Sequence, residues 1–109
     1  MRIEKCVKSD KENSEKYLLL NDDKEIGYGY ILEQEVNPIE IYINENERSN
    51  GYGKFLFEKL LEIVKESDKK ALIFDLTRAQ YRVANIIAFF GARQIETLEN
   101  SIKWALVLK

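Results

Sequence analysis

The sequence contains no histidine, and its only cysteine is Cys6. Serine–histidine triads, histidine zinc sites and proton transfer by imidazole are therefore excluded, because each needs a histidine side chain. No metal site is expected. A lone cysteine cannot form an intramolecular disulfide, which is typical of proteins in a reducing compartment. We expect Cys6 to be a small buried apolar residue.

An excess of positive charge and long apolar runs are absent as well. The 17 Lys and Arg residues face 19 Asp and Glu residues, so the formal net charge is −2. Nucleic-acid binding is not expected, because no basic stripe could neutralise phosphates along a groove. The charged N-terminal region indicates neither a signal peptide nor a membrane span, so we expect a cytoplasmic protein without a membrane partner.

The sequence does contain strand and helix patterns along its whole length of 109 residues, which is the size of one domain, residues 1–109. We predict a mixed α/β (α+β) fold in the order β-β-β-β-α-β-α-β-β, with one mixed sheet and helices packed on it. One helix should begin at Lys54 and fade at 66–68. The strands are predicted at 2–7, 16–20, 25–35, 39–43, 71–76, 94–98 and 101–108, and the second helix at 79–90.

Three local features refine this prediction. The run Ala71–Leu76 is apolar apart from Asp75, which favours a strand covered on both faces. Joined to strand 39–43 through the first helix, it predicts a right-handed parallel crossover. Gly27 and Gly29 indicate a bulge or the close approach of another backbone, and Gly91 should end the second helix.

The most informative stretch is 39–67, which combines a strand, a glycine turn and an amphipathic helix. The strand Ile39–Ile43 is rich in β-branched and aromatic residues. The turn Arg48–Gly53 contains two glycines, and apolar residues then recur at spacings of three and four. The first N–H groups of a helix lack internal partners and lie at the positive end of its dipole, so this turn predicts an anion site.

This arrangement resembles the GNAT superfamily of acyl-CoA N-acyltransferases, whose signature is a hydrophobic strand, then Arg/Gln-x-x-Gly-x-Gly/Ala, then a helix. The resemblance implies that acetyl-CoA, or a related acyl-CoA, is the co-substrate. It implies that the turn binds the pyrophosphate, that strand 41–43 pairs with the pantetheine arm, and that an asparagine of the second helix contacts that arm. The implied contacts are Ile41, Tyr42, Ile43, Arg48, Ser49, Asn50, Gly51, Tyr52, Gly53, Lys54 and Asn85.

The sequence departs from the family pattern in two places. The tyrosine that often protonates the leaving thiolate is replaced by Phe89 and Phe90, which cannot donate a proton. The family also has two helices between its first and second strands, and the segment Lys8–Glu15 is too short for them. The acceptor side should therefore be open, or be completed by a partner subunit, so a homodimer is a possibility.

The acceptor amine must lose a proton before it attacks the thioester, since its pKa is about 10.4 if it resembles lysine. The resemblance implies a carboxylate base on the central strand, where Glu40 lies; Glu40 is equally consistent with a solvated surface residue. Tyr81 is the phenol best placed to replace the missing acid, although a packing role is the alternative. Glu33 is a second base candidate, and the amide of Ile43 should stabilise the thioester oxyanion.

Three functions follow as hypotheses. The first is direct transfer of an acetyl or other acyl group from acyl-CoA to a primary amine of a small molecule or peptide. The second is a minimal CoA-binding or interaction module that lacks turnover. The third is an α/β domain whose glycine turn binds nothing. Binding of CoA separates the third from the first two, because a ligand that binds only the folded state raises its stability.

Overall fold

The computed structural model describes residues 1–109 and contains seven strands and two α-helices in the predicted order. The strands are β1 (Arg2–Lys5), β2 (Ser14–Asn21), β3 (Lys24–Leu32), β4 (Ile39–Ile43), β5 (Ala71–Thr77), β6 (Arg93–Thr97) and β7 (Ser101–Val107); the helices are α1 (Tyr52–Lys65) and α2 (Tyr81–Phe89).

The strands form two antiparallel sheets. The first has the order β1-β2-β3-β4 and the second the order β5-β7-β6. In the first sheet, Tyr28 pairs with Tyr42 and Tyr30 pairs with Glu40. Strand β3 ends at Leu32, three residues earlier than predicted, because the chain turns through Glu33–Asn37 to enter β4. The mixed α+β class and the element order are therefore confirmed, but the strands are divided between two sheets.

The predicted pairing of β4 with β5 in one sheet is wrong. A single parallel bridge, Val36 with Ile73, joins the two sheets. Beside it the Asn37 N–H donates to Ile73 O at 2.9 Å, while the Asn37 side chain accepts from the Asp75 N–H at 2.9 Å and donates to Asp75 O at 3.1 Å. One asparagine therefore occupies the edge of β5 where a neighbouring strand would continue, and β4 lies apart from β5 beyond this point.

Helix α1 packs on the first sheet through the predicted apolar stripe. Its buried residues are Leu56, Phe57, Leu60, Leu61 and Val64. The helix can lie close to the sheet because Gly29 faces it: a Cβ at this position would stand 2.7 Å from Leu60 Cδ1. The predicted close approach of another backbone is confirmed at Gly27, where an added Cβ would collide with Tyr42 O of β4. Burial of each large apolar side chain contributes about 1.5–3 kcal/mol, so this helix anchors the core.

Helix α2 follows a 3-10 turn at Arg78–Gln80 and ends where the sequence predicts. Ile87 is fully buried, and Val83, Ile86 and Phe90 pack against the same core. Gly91 has φ 103°, and the Ala92 N–H donates to Ile87 O at 2.9 Å. This left-handed residue closes the helix and turns the chain into β6.

Two other expectations need correction. Strand β5 buries only Leu72, Phe74 and Leu76, while alternate residues face outward, so it is covered on one face. Asp75 lies on that outer face, and its buried Oδ1 has no hydrogen-bond partner. Cys6 is only partly buried.

The connection between β1 and β2 contains no helix, as the sequence predicts. Neither α-helix is long and apolar enough to cross a membrane.

The Asn37 contacts with β5 should contribute measurably to stability. Replacing Asn37 with Ala leaves Asp75 N–H and O without partners, at about 1–3 kcal/mol for an unsatisfied group. Asn37 also has φ 54°, which Ala tolerates poorly, at about 1–2 kcal/mol. Asn37→Gly tolerates this φ and loses only the side-chain bonds. Urea unfolding should rank the parent above Asn37→Gly and Asn37→Gly above Asn37→Ala; a glycine variant as stable as the parent would contradict this role.

Candidate active site

The separation of β4 from β5 creates a cleft whose wall is unpaired backbone. Asn44 N–H donates to Ile26 O and Leu32 N–H donates to Pro38 O. Because hydrogen-bonded and non-hydrogen-bonded pairs alternate in an antiparallel ladder, Glu40 and Tyr42 bond to β3. The N–H and C=O groups of Ile41 and Ile43 therefore point away from β3, into the cleft.

One half of the cleft, with a volume of about 560 Å³, ends at the first turn of α1 and at one face of α2. Ser49 and Gly51 have φ values of 71° and 79°, which folds the turn back on itself. The first helical hydrogen bond runs from the Phe55 N–H to Gly51 O. The N–H groups of Tyr52, Gly53 and Lys54 precede it and are free to bind an anion. We call this half of the cleft the anion half.

The charged side chains of the anion half are arranged to favour an anion. Arg48 donates from Nε to Ile43 O at 3.0 Å, and its guanidinium lies 5.4 Å from the centroid of the Tyr42 ring. Lys54 Nζ lies 3.9 Å from the centroid of the Phe89 ring. The one carboxylate here, Glu47, is paired with Lys24 at 2.6 Å. This pairing reduces the repulsion that Glu47 would exert on an anion.

The other half of the cleft, about 470 Å³, is lined by tyrosines and by charges from the loop between β1 and β2. We call it the acceptor half. Tyr28 and Tyr42 stack with ring centroids 5.1 Å apart. Tyr30 donates its hydroxyl to Asp10 at 2.7 Å. Glu40 accepts from Lys11 Nζ at 2.6 Å. Ile41 and Tyr42 line both halves, so the two are continuous.

The shifted pKa values in the acceptor half reflect these contacts. Burial, followed by the hydrogen bond to Asp10, raises the pKa of Tyr30 to about 12. The hydrogen bond from Tyr30 in turn lowers the pKa of Asp10. The hydrogen bond to Glu40 raises the pKa of Lys11. At neutral pH this half therefore contains a neutral phenol, an ionised Asp10 and a protonated Lys11.

The residues predicted from sequence to contact the co-substrate lie around the anion half, apart from Asn50. Asn50 instead donates its side-chain amide to Glu47 O at 3.2 Å. The residues that line this half are Ile41, Tyr42, Ile43, Arg48, Ser49, Gly51, Tyr52, Gly53, Lys54 and Asn85.

The predicted proton-transfer residues are dispersed. Glu40 lines the acceptor half. Tyr81 lines neither half of the cleft and is 57% exposed. Glu33 lines a separate cavity near the C-terminal end of α1.

Sequence reasoning missed several residues of the cleft. Arg82, Gln80 and Val83 enter it from the start of α2. Lys11 and Asp10 enter it from a loop without periodicity, and Asn37 lines its floor. Only Asn37 had a usable signal, because an Asn before Pro marks a turn that leaves the amide free to bond elsewhere.

The chain has the fold of known acetyltransferases. No protein-family model matches the sequence, and no curated protein sequence matches it significantly. Among solved structures, a protein of Desulfovibrio desulfuricans assigned to the GNAT acetyltransferases is 13% identical with a TM-score of 0.71, over 89% of this chain and 70% of that one.

Two further structures show the same similarity. Spermidine N-acetyltransferase of Vibrio cholerae, solved with CoA and spermine, is 9% identical with a TM-score of 0.74, over 89% of this chain and 67% of that one. The yncA protein of Salmonella typhimurium, assigned as an acetyltransferase and solved with its cofactor acetyl-CoA, is 10% identical with a TM-score of 0.70, over 88% of this chain and 65% of that one. This chain therefore has the GNAT fold.

Stability should fall in alkaline solution because buried phenols resist ionisation. The pKa values of Tyr17 and Tyr30 are raised to about 12 by burial and by hydrogen bonds to Glu15 and Asp10. An unfolded phenol ionises near pH 10, so between about pH 10 and 12 the folded state holds more protons, and each phenol lowers the unfolding free energy by up to about 1.4 kcal/mol per pH unit. Urea unfolding at successive pH values measures this slope.

Tyr17→Phe and Tyr30→Phe should each reduce that alkaline slope, while measurements near neutral pH report any packing cost separately. Slopes unchanged in both variants would show that other groups cause the alkaline loss.

Proposed function

We propose that this protein, which has the GNAT fold, binds an acyl-CoA in the cleft and transfers the acyl group to a primary amine. The observation that carries this proposal is the continuity of the cleft: exposed β4 backbone leads from the start of α1 to the tyrosines and charges around Glu40. An extended pantetheine arm with amide groups suits such an edge, since it can bond there as a strand does. The volume of the cleft suits a ligand of this size.

The anion half would hold the pyrophosphate. The free N–H groups of Tyr52, Gly53 and Lys54 would donate to its oxygens, and the helix dipole favours its charge. Lys54 and Arg82 supply positive charge at the rim. The unpaired N–H and C=O of Ile41 and the unpaired N–H of Ile43 would bond to the pantetheine, and Asn85 would reach it from α2; the Ile43 carbonyl already accepts from Arg48. These proposed contacts are the ones that the resemblance of the sequence to the GNAT superfamily implies.

The chemistry would take place where the two halves meet. An arm that begins at α1 and follows β4 backward passes Ile43 first and then reaches Ile41, next to Glu40. The amides of both Ile43, the predicted donor, and Ile41 point into the cleft and could stabilise a developing oxyanion. Glu40 would take a proton from the acceptor amine, directly or through water. The thiolate is a good leaving group, since the pKa of an ordinary thiol is about 8.5. The reaction would therefore depend little on a general acid, and the exposed position of Tyr81, the candidate acid, does not prevent it.

The structural neighbours support this choice of substrates. The Vibrio cholerae enzyme was solved with CoA and spermine, and the Salmonella typhimurium protein with acetyl-CoA. A thioester donor and a primary amine acceptor are therefore the pair to test first in this chain.

The proposal predicts that CoA binds through its phosphates. CoA should raise the Tm, and pantetheine, which lacks the pyrophosphate, should raise it less; a ligand at a hundred times its Kd adds about 2.7 kcal/mol of stability. Lys54→Glu should weaken CoA binding about tenfold, because it places a negative charge beside the anion site. Thermal unfolding measures the change in Tm, and titration calorimetry measures the affinity for CoA.

The matched control is Lys69→Glu, which changes the net charge equally beyond the opposite end of α1. The two variants binding CoA equally well, or CoA leaving the Tm unchanged, would contradict the placement of the pyrophosphate.

The proposal also predicts turnover that depends on Glu40. Incubation with acetyl-CoA and a panel of primary amines should release free CoA thiol, and Glu40→Gln should lower kcat/KM by about a hundredfold, as loss of a general base does. CoA affinity should be unchanged. Glu33→Gln is the control, because this carboxylate lies outside the cleft. Tyr81→Phe should lower the rate less than tenfold, since a thiolate leaves readily.

A second candidate function is CoA binding without turnover. It is favoured by the ion pair that engages Glu40 with Lys11 and by the phenylalanines at the position of the family's acid. CoA binding with no thiol release for any amine would support this function. Rates that fall in Glu40→Gln but not in Glu33→Gln would exclude it.

A further inference from the structure

Lys11 places a primary amine of the chain itself inside the acceptor half of the cleft. Its Nζ donates to Glu40 Oε1 at 2.6 Å and lies 4.5 Å from the centroid of the Tyr30 ring. Glu40 is the carboxylate that the proposed function assigns as the base. The amine therefore has the two contacts that an acceptor needs, a carboxylate to take its proton and an aromatic face to hold its cation.

The loop between β1 and β2 holds the Lys11 backbone in place. Lys11 N–H donates to Ser9 Oγ at 3.2 Å, and Ser14 Oγ donates to Lys11 O at 2.7 Å. The hydroxyls of Ser9 and Ser14 are themselves 2.6 Å apart. Short polar contacts thus fix the base of the Lys11 side chain, which extends across the first sheet to Glu40 on β4.

We propose that Lys11 is an acyl acceptor and that the protein acylates itself at this residue when it binds an acyl-CoA. This inference rests on the proposed function. Glu40 takes one proton from the ammonium and passes it to solvent, and the free amine attacks the thioester carbon. A C–N bond forms and the C–S bond breaks; the second proton lost by the nitrogen goes to the departing thiolate. The products are N-acyl-Lys11, free CoA and one proton.

The ion pair does not prevent this reaction. Both side chains are 45% exposed, and pairs at such sites contribute at most about 1 kcal/mol, so Lys11 can release Glu40 and rotate toward a thioester at Ile41. The hydrogen bond to Glu40, with the negative charge of that carboxylate, keeps the pKa of Lys11 above its ordinary value, although partial burial opposes this. An uncatalysed reaction with acetyl-CoA would therefore favour other lysines over Lys11.

Lys24 provides an internal control within the same molecule. Its Nζ also pairs with a glutamate, Glu47, at 2.6 Å, and this hydrogen bond likewise raises its pKa. Lys24 is more exposed than Lys11, at 69% of its side-chain surface, yet it lines neither half of the cleft. Spontaneous acylation should therefore modify Lys24 at least as fast as Lys11.

The test is incubation of the full chain with acetyl-CoA, followed by peptide mass spectrometry over time. Lys11 should gain one acetyl group at least tenfold faster than Lys24, with a rate constant independent of protein concentration, as for a reaction within one chain. Glu40→Gln should lower this rate, and Glu33→Gln should not. Lys11→Arg keeps the positive charge and should abolish the modification.

The outcomes separate this inference from the function on which it rests. A protein that binds CoA and acylates added amines, but modifies Lys11 no faster than Lys24, would overturn the inference alone. An observed rate constant that grows with protein concentration would also overturn it, because the reaction would then occur between molecules. A protein whose Tm does not change with CoA would contradict the proposed function itself.

Discussion

The three hydrogen bonds between Asn37 and β5 are the constraint on which the rest of this structure depends. The side chain of Asn37 bonds to both backbone groups of Asp75, and its own N–H bonds to Ile73 O. This contact joins the two sheets at one end. The backbone N–H and C=O at this edge of β5 bond to a side-chain amide instead of to a neighbouring strand. Beyond it β4 and β5 run unpaired, and the cleft between them exists for this reason.

An unpaired strand edge has a chemical consequence. Buried backbone groups need partners, so the N–H and C=O groups that Ile41 directs into the cleft favour water or an extended ligand with its own amides. The start of α1 lies at one end of the same edge and provides N–H groups suited to an anion. A ligand that combines an amide chain with phosphates therefore matches both surfaces at once, which is the physical basis for proposing coenzyme A.

The short connection between β1 and β2 changes the acceptor half. No helix covers the tyrosine face of the first sheet, so cations of the chain lie against the rings: Lys11 beside Tyr30 and Lys16 beside Tyr28. These contacts show that the face attracts ammonium groups. Lys11 also donates to Glu40, so in the proposed function an external amine must compete with a lysine that the chain supplies.

The element order, the helix stripes and the turn that opens α1 could be predicted from the sequence, because these depend on local periodicity and on glycine at residues such as Gly51 and Gly91. The sequence also indicated that the connection between β1 and β2 is short. The folded structure was needed to find that β4 and β5 separate, because this follows from a side chain that bonds to a strand 38 positions away. It likewise placed Lys11 against Glu40, 29 positions apart: a loop without periodicity carries no pattern, and its contacts are fixed only when the sheet is assembled.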